Sequence, residues 1–416
     1  MDNRASFGGP GSYLIGEEEK KELMEVIESG YLFRYGATDD PRFKKKVVTL
    51  EQEFAKLIGV RYAVAVNSGT SALLTGLAAL GIGPGDEVIV PGYTFIASLS
   101  SIIMARAIPT LAEIDESLTL DPADVERKIT DKTRAIMVVH MLGNPCRMDE
   151  IMEIARARNI LVIEDCAQAA GASYRGNRVG SIGDIGAFSL NVYKTITAGD
   201  GGMVVTDDFG WYERAFGFHD QGHKPLRTGV EIGQRSIVGL DFRMNELTGA
   251  VALAQLRKLD HILAILRYKK KKLKDALTGI SGIGFRTIND EEGECATLLT
   301  LIFPDRKTAD AFGDRVGTKT IAHSGWHVYN NMEQILNKQT VTQFSCPYAC
   351  PQYGKSVEYH AHMLPQTDDI LNRSINVSVG VVDKGLGSGF GINVTSSDQE
   401  IEVVAERITS VMKEIG

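Results

Sequence analysis

Two residues set the chemistry this chain can do. Asp165 closes the apolar run Ile160-Leu-Val-Ile163 in the segment Glu164-Asp165-Cys-Ala-Gln168, and Lys194 lies between the small-residue run Gly186-Ala-Phe-Ser189 and the turn Gly199-Asp-Gly-Gly202. An acid at the carboxyl end of a buried strand and a lysine held beside a glycine turn are what pyridoxal 5'-phosphate (PLP) requires. The lysine forms the Schiff base, and the carboxylate keeps the pyridine nitrogen protonated so that the ring can draw off electrons. Singly, each has an ordinary explanation: a solvated lysine, and an acid capping the next helix.

Other segments supply the remaining parts of such a site. Asn67-Ser68-Gly69-Thr70-Ser71 joins a predicted strand to a predicted helix, where free amides and hydroxyls can hold a phosphate. Ser189 offers one more hydroxyl. Phe95 opens a helix after a strand and can stack on a ring, while Gln168, one helical turn beyond Asp165, can reach the ring face or its oxygens. Gly199-Asp-Gly-Gly202 lets the chain reverse close to the lysine.

The elements that position these residues alternate along the chain. Seven short apolar runs, near 62–66, 87–90, 109–113, 134–139, 160–163, 185–190 and 202–206, alternate over most of this span with helical patterns at 70–80, 95–106, 122–129 and 148–157. That alternation predicts an α/β domain with a mostly parallel sheet covered on both faces, and sites of such sheets lie at the carboxyl ends of the strands. A helix-rich stretch at 245–277 leads to a smaller α/β unit with a strand at 297–303, a helix at 307–317 and a last helix from Asp398 to Ile415 behind a Ser-Ser-Asp cap signal. The expected organisation is an N-terminal arm (1–16), a large domain (17–260) and a small C-terminal domain (261–416). Gly380 to Gly391 reads as a mobile loop without assigned chemistry.

Composition narrows the alternatives. The 416 residues carry a net charge of -8, which leaves no basic footprint for nucleic acid, and the lysines at 269–272 read as a solvated helix face. No apolar run reaches the ~18 residues of a membrane span and no signal-type leader is evident. Five cysteines suit a reducing compartment, so a cytoplasmic protein is expected. Cys346 and Cys350 with His360 and His362 can be drawn as a zinc set, but the spacing is loose and prolines interrupt it; no metal is expected.

Taken in order, Ser68-Gly-Thr-Ser-Ala-Leu73, Gly85-Asp-Glu-Val-Ile-Val-Pro91, Thr94-Phe95, Val139-His140, Glu164-Asp165-Cys-Ala-Gln168, Gly183-Asp-Ile-Gly-Ala-Phe-Ser189, Lys194 with its glycine turn, and Phe242-Arg-Met-Asn-Glu246 resemble the DegT-type sugar aminotransferases. The resemblance spans roughly residues 15 to 280. It implies PLP fold type I, like aspartate aminotransferase, with a seven-stranded sheet, and a homodimer whose active sites lie at the subunit interface. It also implies Lys194 as Schiff-base residue and Asp165 on the pyridine nitrogen. Ser68, Gly69, Thr70 and Ser189 would then hold the phosphate, and Gln168 and Phe95 the ring. The reaction implied carries an amino group from an amino acid, glutamate in this family, to a sugar carbonyl, with pyridoxamine phosphate between the halves. Where many relatives have an asparagine that reaches the partner's phosphate, this chain has Asp241, so that residue must turn away or be compensated.

A narrower group is similar at Ser29-Gly-Tyr-Leu-Phe-Arg-Tyr-Gly36, Val139-His-Met-Leu-Gly143, Lys194-Thr-Ile-Thr197, His219-Asp-Gln-Gly-His223 and Ala254-Gln-Leu-Arg-Lys-Leu-Asp260. These are the aminotransferases that make 8-amino-3,8-dideoxy-manno-octulosonate, a lipopolysaccharide sugar acid. On that likeness Arg34, His219 and His223 are candidate substrate contacts, with Arg34 pairing the carboxylate. A nucleotide-sugar aminotransferase is the alternative. A pyridoxamine-dependent sugar dehydratase, with histidine for the lysine, and a non-catalytic regulator are disfavoured by Lys194, Asp165 and Ser189.

Overall fold

A computed structural model describes residues 8–225, 232–341 and 346–416. The helices of its first half are α1 (Pro10–Tyr13), α2 (Glu17–Ser29), α3 (Lys46–Ile58), α4 (Gly69–Leu80), α5 (Ile96–Met104), α6 (Pro122–Lys128), α7 (Met148–Arg158) and α8 (Phe209–His219). Between them run β1 (Tyr62–Val66), β2 (Glu87–Pro91), β3 (Ile108–Ala112), β4 (Thr133–Val139) and β5 (Leu161–Asp165). After a small hairpin of β6 (Ser173–Tyr174) and β7 (Asn177–Arg178) come β8 (Ile185–Ser189) and β9 (Gly202–Thr206). Seven of these strands form one sheet in the order β1-β9-β8-β5-β4-β2-β3, parallel from β8 to β3 and antiparallel where β9 joins β8 and β1. The expected mostly parallel seven-stranded sheet is present.

Alternation along β1 shows how the layers form. Ala63 and Ala65 pack toward Phe54 and Leu253, whereas Val64 and Val66 face Leu73, Leu77 and Phe216 of α4 and α8. Both faces are covered, so the strands are apolar along nearly their whole length. Helix α9 (Glu246–Leu277), 32 residues long, runs beside α2 and α3 and continues to α13. The predicted boundary at 260 therefore falls inside one uninterrupted helix. The C-terminal unit holds β10 (Gly284–Phe285), β11 (Leu298–Ile302) and β12 (Ser374–Ser378) in an antiparallel sheet. Its helices are α10 (Arg306–Val316), α11 (Glu333–Leu336), α12 (Pro365–Asn372) and α13 (Asp398–Ile415). The last begins where its cap signal predicts, with Ser397 and Glu400 bonding reciprocally.

Two expectations need correction. Residues 1–7 of the proposed arm lie outside the described residues, but Gly8–Tyr13 is packed: the Gly9 amide donates to Val192 O at 2.9 Å, and a Cβ on Gly9 would stand 2.3 Å from Tyr193 O. The 380–391 stretch is likewise anchored. Buried Ser388 donates to Val381 O, and Asn376 Nδ2 donates to Leu386 O, both at 2.8 Å. Among the described residues no helix is long and apolar enough to cross a membrane.

Candidate active site

A cavity of about 350 Å³ opens at the carboxyl ends of β1, β2, β4, β5 and β8. All of the residues read from sequence as cofactor contacts line it: Ser68, Gly69, Thr70, Phe95, Asp165, Gln168, Ser189 and Lys194. At one end, Ser68 caps α4 by accepting from Ser71 N at 3.1 Å, and the Gly69 and Thr70 amides, in the first turn, have no partner within the helix. Gly69 abuts Ser189, whose Cβ would stand only 2.6 Å from a Cβ at that position, and a Cβ on Gly202 would stand 2.3 Å from Ser68 O. Only glycines let the helix start, Ser189 and the β9 turn meet this closely. The result is a small cradle of amides and hydroxyls, suited to a phosphate.

Deeper in the cavity, Asp165 is buried at the end of β5. Its Oδ2 accepts from Ser98 Oγ at 2.8 Å and its Oδ1 from Ala167 N at 3.1 Å. Burial raises its pKa, and the Ser98 and Ala167 bonds and the nearby Lys194 pull it back. Thr94 and Ser98, one helical turn apart, hydrogen-bond at 2.7 Å, so Ser98 extends a relay that sequence reading missed. Gln168 spends its Oε1 on the Leu142 amide at 3.1 Å, which leaves its NH2 group for the cavity.

Lys194 sits on the β8–β9 connection. Leu190 O accepts from Ala198 N and Thr197 Oγ1, and Gln255 Oε1 accepts from Thr197 N, which pins both arms of the turn; Gly199 at φ 83 supplies the left-handed reversal. The amine has no hydrogen bond or ion pair among the described residues, and burial depresses its pKa while Asp165 and Asp383 oppose that shift. A lysine kept toward its neutral, nucleophilic form fits a carbonyl cofactor. Across the opening stand Trp326, His327 and Asp383 from the C-terminal unit, none of which sequence reading had found. His327 packs on Phe95 with ring centroids 5.2 Å apart, and burial and Lys194 hold its pKa down to about 3.

The substrate candidates fare differently. Arg34 is buried, grips both oxygens of Glu51 at 2.9 and 3.0 Å, and donates to His219 Nε2 at 3.0 Å. Buried His219 in turn donates through Nδ1 to Phe216 O at 2.6 Å, with its pKa depressed to about 3 by burial and Arg34. Neither residue lines the cavity, and both are occupied in packing; as substrate contacts within this chain they are corrected. His223 is partly buried and also lies off the cavity lining. Asp241 is exposed and paired by Arg243 at 2.5 Å, so compensation is in place. Among the described residues the set at 346–362 does not gather; the cluster that does, His140, Glu164 and Cys166, spends Glu164 on His140 and the amides of Gly180, Ile182 and Gly183.

The model of the DegT/DnrJ/EryC1/StrS aminotransferase family matches residues 14–381. The chain belongs to that family. With membership it is a PLP-dependent aminotransferase of fold type I. It is 40% identical over 259 residues to GDP-perosamine synthase of Escherichia coli O157:H7, covering 62% of this chain and 67% of that protein. It is 30% identical over 407 residues to the spore coat polysaccharide biosynthesis protein SpsC of Bacillus subtilis, covering 96% of both. The chain spans about two thirds of the GDP-perosamine synthases that it matches. Among solved structures, 3-amino-5-hydroxybenzoic acid synthase superposes with a TM-score of 0.77 at 26% identity, over 96% of this chain and 97% of that one.

Proposed function

We propose that this aminotransferase moves an amino group from an α-amino acid, glutamate first, to the carbonyl carbon of a sugar, as a cytoplasmic homodimer. The observation that carries the reading is that the Lys194 amine and the Asp165 carboxylate face one enclosed cavity whose far end is the Ser68–Thr70 and Ser189 cradle. The residues fit PLP: the close Gly69–Ser189 approach brings the start of α4 and the Ser189 hydroxyl together as donors for a phosphate, and the Lys194 amine is without a competing partner among the described residues. When bound, that group supplies the electron sink that makes a substrate Cα–H acidic. Lys194 would hold that group through its amine and, once freed by the donor amine, its Nζ would be the base placed to move a proton at the substrate carbon. Asp165 would stabilise a protonated ring nitrogen, and Ser98 and Ala167 fix its orientation. Phe95 and Gln168 line the cavity and would contact such a ring.

The acceptor we propose is 8-oxo-3-deoxy-manno-octulosonate, on the likeness at residues 29–36, 139–143, 194–197, 219–223 and 254–260; its carboxylate needs a cation other than Arg34 of the same chain. A nucleotide-linked keto-deoxyhexose is the second reading, favoured by the similarity to GDP-perosamine synthases. Purified protein with glutamate should release 2-oxoglutarate and aminate one of these sugars, read by mass spectrometry. Lys194→Ala should abolish turnover yet retain pyridoxamine phosphate through the cradle. Near-native turnover by that variant would remove the central role of the lysine, and amination of the nucleotide sugar alone would select the second acceptor.

A further inference from the structure

Three carboxylates line the cavity, and two have duties. Asp165 is held by Ser98 and Ala167 at the bottom, and Asp200 accepts from Asn191 Nδ2 at 3.0 Å. Asp383 remains. Its Oδ1 accepts from Gly385 N at 2.7 Å, closing the short turn Lys384–Leu386, while its Oδ2 has no hydrogen bond among the described residues. A turn cap needs only one oxygen, which asparagine or serine would provide without bringing charge into an enclosed cavity. The bond from Asp383 N to Ser388 Oγ at 3.2 Å and that from Ser388 N to Asp383 O at 2.9 Å fix the backbone, so the carboxylate is presented rather than free to swing away.

Trp326 stands over the same turn. A methyl group on Gly385 would lie 3.1 Å from Asp383 Oδ1 and 3.3 Å from the indole Nε1, so the two side chains converge there. The indole is 64% exposed at the cavity mouth, and its neighbour is tied to the sheet end, with Thr94 N donating to His327 O at 2.9 Å. An indole face beside a carboxylate offers an apolar platform for C–H groups and a strong acceptor for hydroxyls, the two faces of a sugar.

We propose that Asp383 and Trp326 form the acceptor subsite: the carboxylate accepts hydrogen bonds from hydroxyls on carbons next to the reacting carbonyl, and the indole carries the C–H face of the sugar. The inference rests on the aminotransferase reading of the cavity. It orients the substrate as well. The anionic end of either acceptor, carboxylate or phosphates, must point away from Asp383, so the neutral polyol end enters toward Lys194.

The two half-reactions separate this from a structural role. Asp383→Asn keeps the acceptor for Gly385 N. At the pH optimum of each protein, since removal of the Asp383 charge shifts the Lys194 pKa, the variant's half-reaction with glutamate, followed by the change in cofactor absorbance, should fall by much less than its half-reaction with the sugar. Its kcat/KM for whichever probe the wild type turns over, 8-oxo-3-deoxy-manno-octulosonate or a GDP-linked keto-deoxyhexose, should fall about 10- to 100-fold, mostly in KM. With the analogue lacking the adjacent hydroxyl, the variant and wild type should be equal. Trp326→Ala should show the same split, and Trp326→Phe should restore most of the activity. A binding readout needs no turnover: Trp211 and Trp326 are the only tryptophans, so Trp211→Phe leaves Trp326 as sole reporter, quenched by the unreactive alcohol 3-deoxy-manno-octulosonate or by a GDP-linked deoxyhexose. Equal losses in both half-reactions, loss in neither, or an unquenched Trp326 at saturating sugar would overturn the subsite. A wild type that does not react with glutamate at all would instead overturn the reading of the whole cavity.

Discussion

Asp165 sits with one oxygen on the Ser98 hydroxyl and the other on the Ala167 amide, so exchange for asparagine removes its charge while keeping its shape. Asp165→Asn should still bind the cofactor but slow the glutamate half-reaction about a hundredfold, the ~3 kcal/mol of a charge-assisted bond. Stopped-flow absorbance would read this, and an unchanged rate would reduce the acid to a cap of the turn after β5. His219 and His327 make a different prediction, about stability. Both fold as neutral groups with pKa held to about 3, so below the ordinary histidine range the unfolded chain takes up protons that the folded one refuses. Their contribution is complete above pH ~6.5 and shrinks as pH falls, by about 2 kcal/mol each at pH 5. Asp165, with its raised pKa, acts in the opposite sense as it protonates. Buried His140, with its pKa raised, also acts in the opposite sense, so the test is a comparison between proteins: the fall in urea midpoint from pH 8 to pH 5 should be smaller in His219→Asn than in wild type.

The segment around Arg34 shows what an element can do to a residue's apparent role. Arg34 bridges the 31–36 stretch to Glu51 on α3, and Glu51 accepts from Ala65 N on β1, so the arginine joins three elements. Arg34→Gln should cost about 3 kcal/mol by leaving Glu51 without its partner, measurable in denaturant, with no selective loss for one sugar over another. From the sequence, Arg34 offered a cation beside aromatic residues, and nothing there tells a buried strut from a substrate clamp; the partner is a helix away. The β-branched runs and the Ser397–Glu400 box were legible because their signal is local, a period or a cap. Ser68, Asp165, Ser189 and Lys194 were legible as cavity residues for a related reason: each ends or follows a strand of the mostly parallel sheet, and the topology gathers strand ends. Asp383, Trp326 and His327 come from the other unit, where only a glycine-rich stretch marked the turn, and no spacing links them to Lys194.

At the scale of the molecule, the proposed homodimer can be tested by mixing. A Lys194 variant and a variant in the Gly239–Arg243 loop, each inactive alone, should together recover about a quarter of wild-type activity, since half the dimers are hybrid and each hybrid rebuilds one site. Loop variants that inactivate without ever complementing would argue for self-contained sites. Helix α9, about 48 Å long, couples the two units and carries Gln255, whose Oε1 holds the Thr197 amide while its Nε2 donates to Glu19 at 2.8 Å. The first described residues belong to this same assembly. Gly8 and Gly9 lie against the backbone of Val192 and Tyr193, and Gly11 against Gln255 and Ile196, so the back of the lysine turn is sealed by the start of the chain. A label placed at Ser12 would therefore stand outside the cavity yet share a wall with its lysine, and its spectrum would register cofactor loading without any probe entering the pocket.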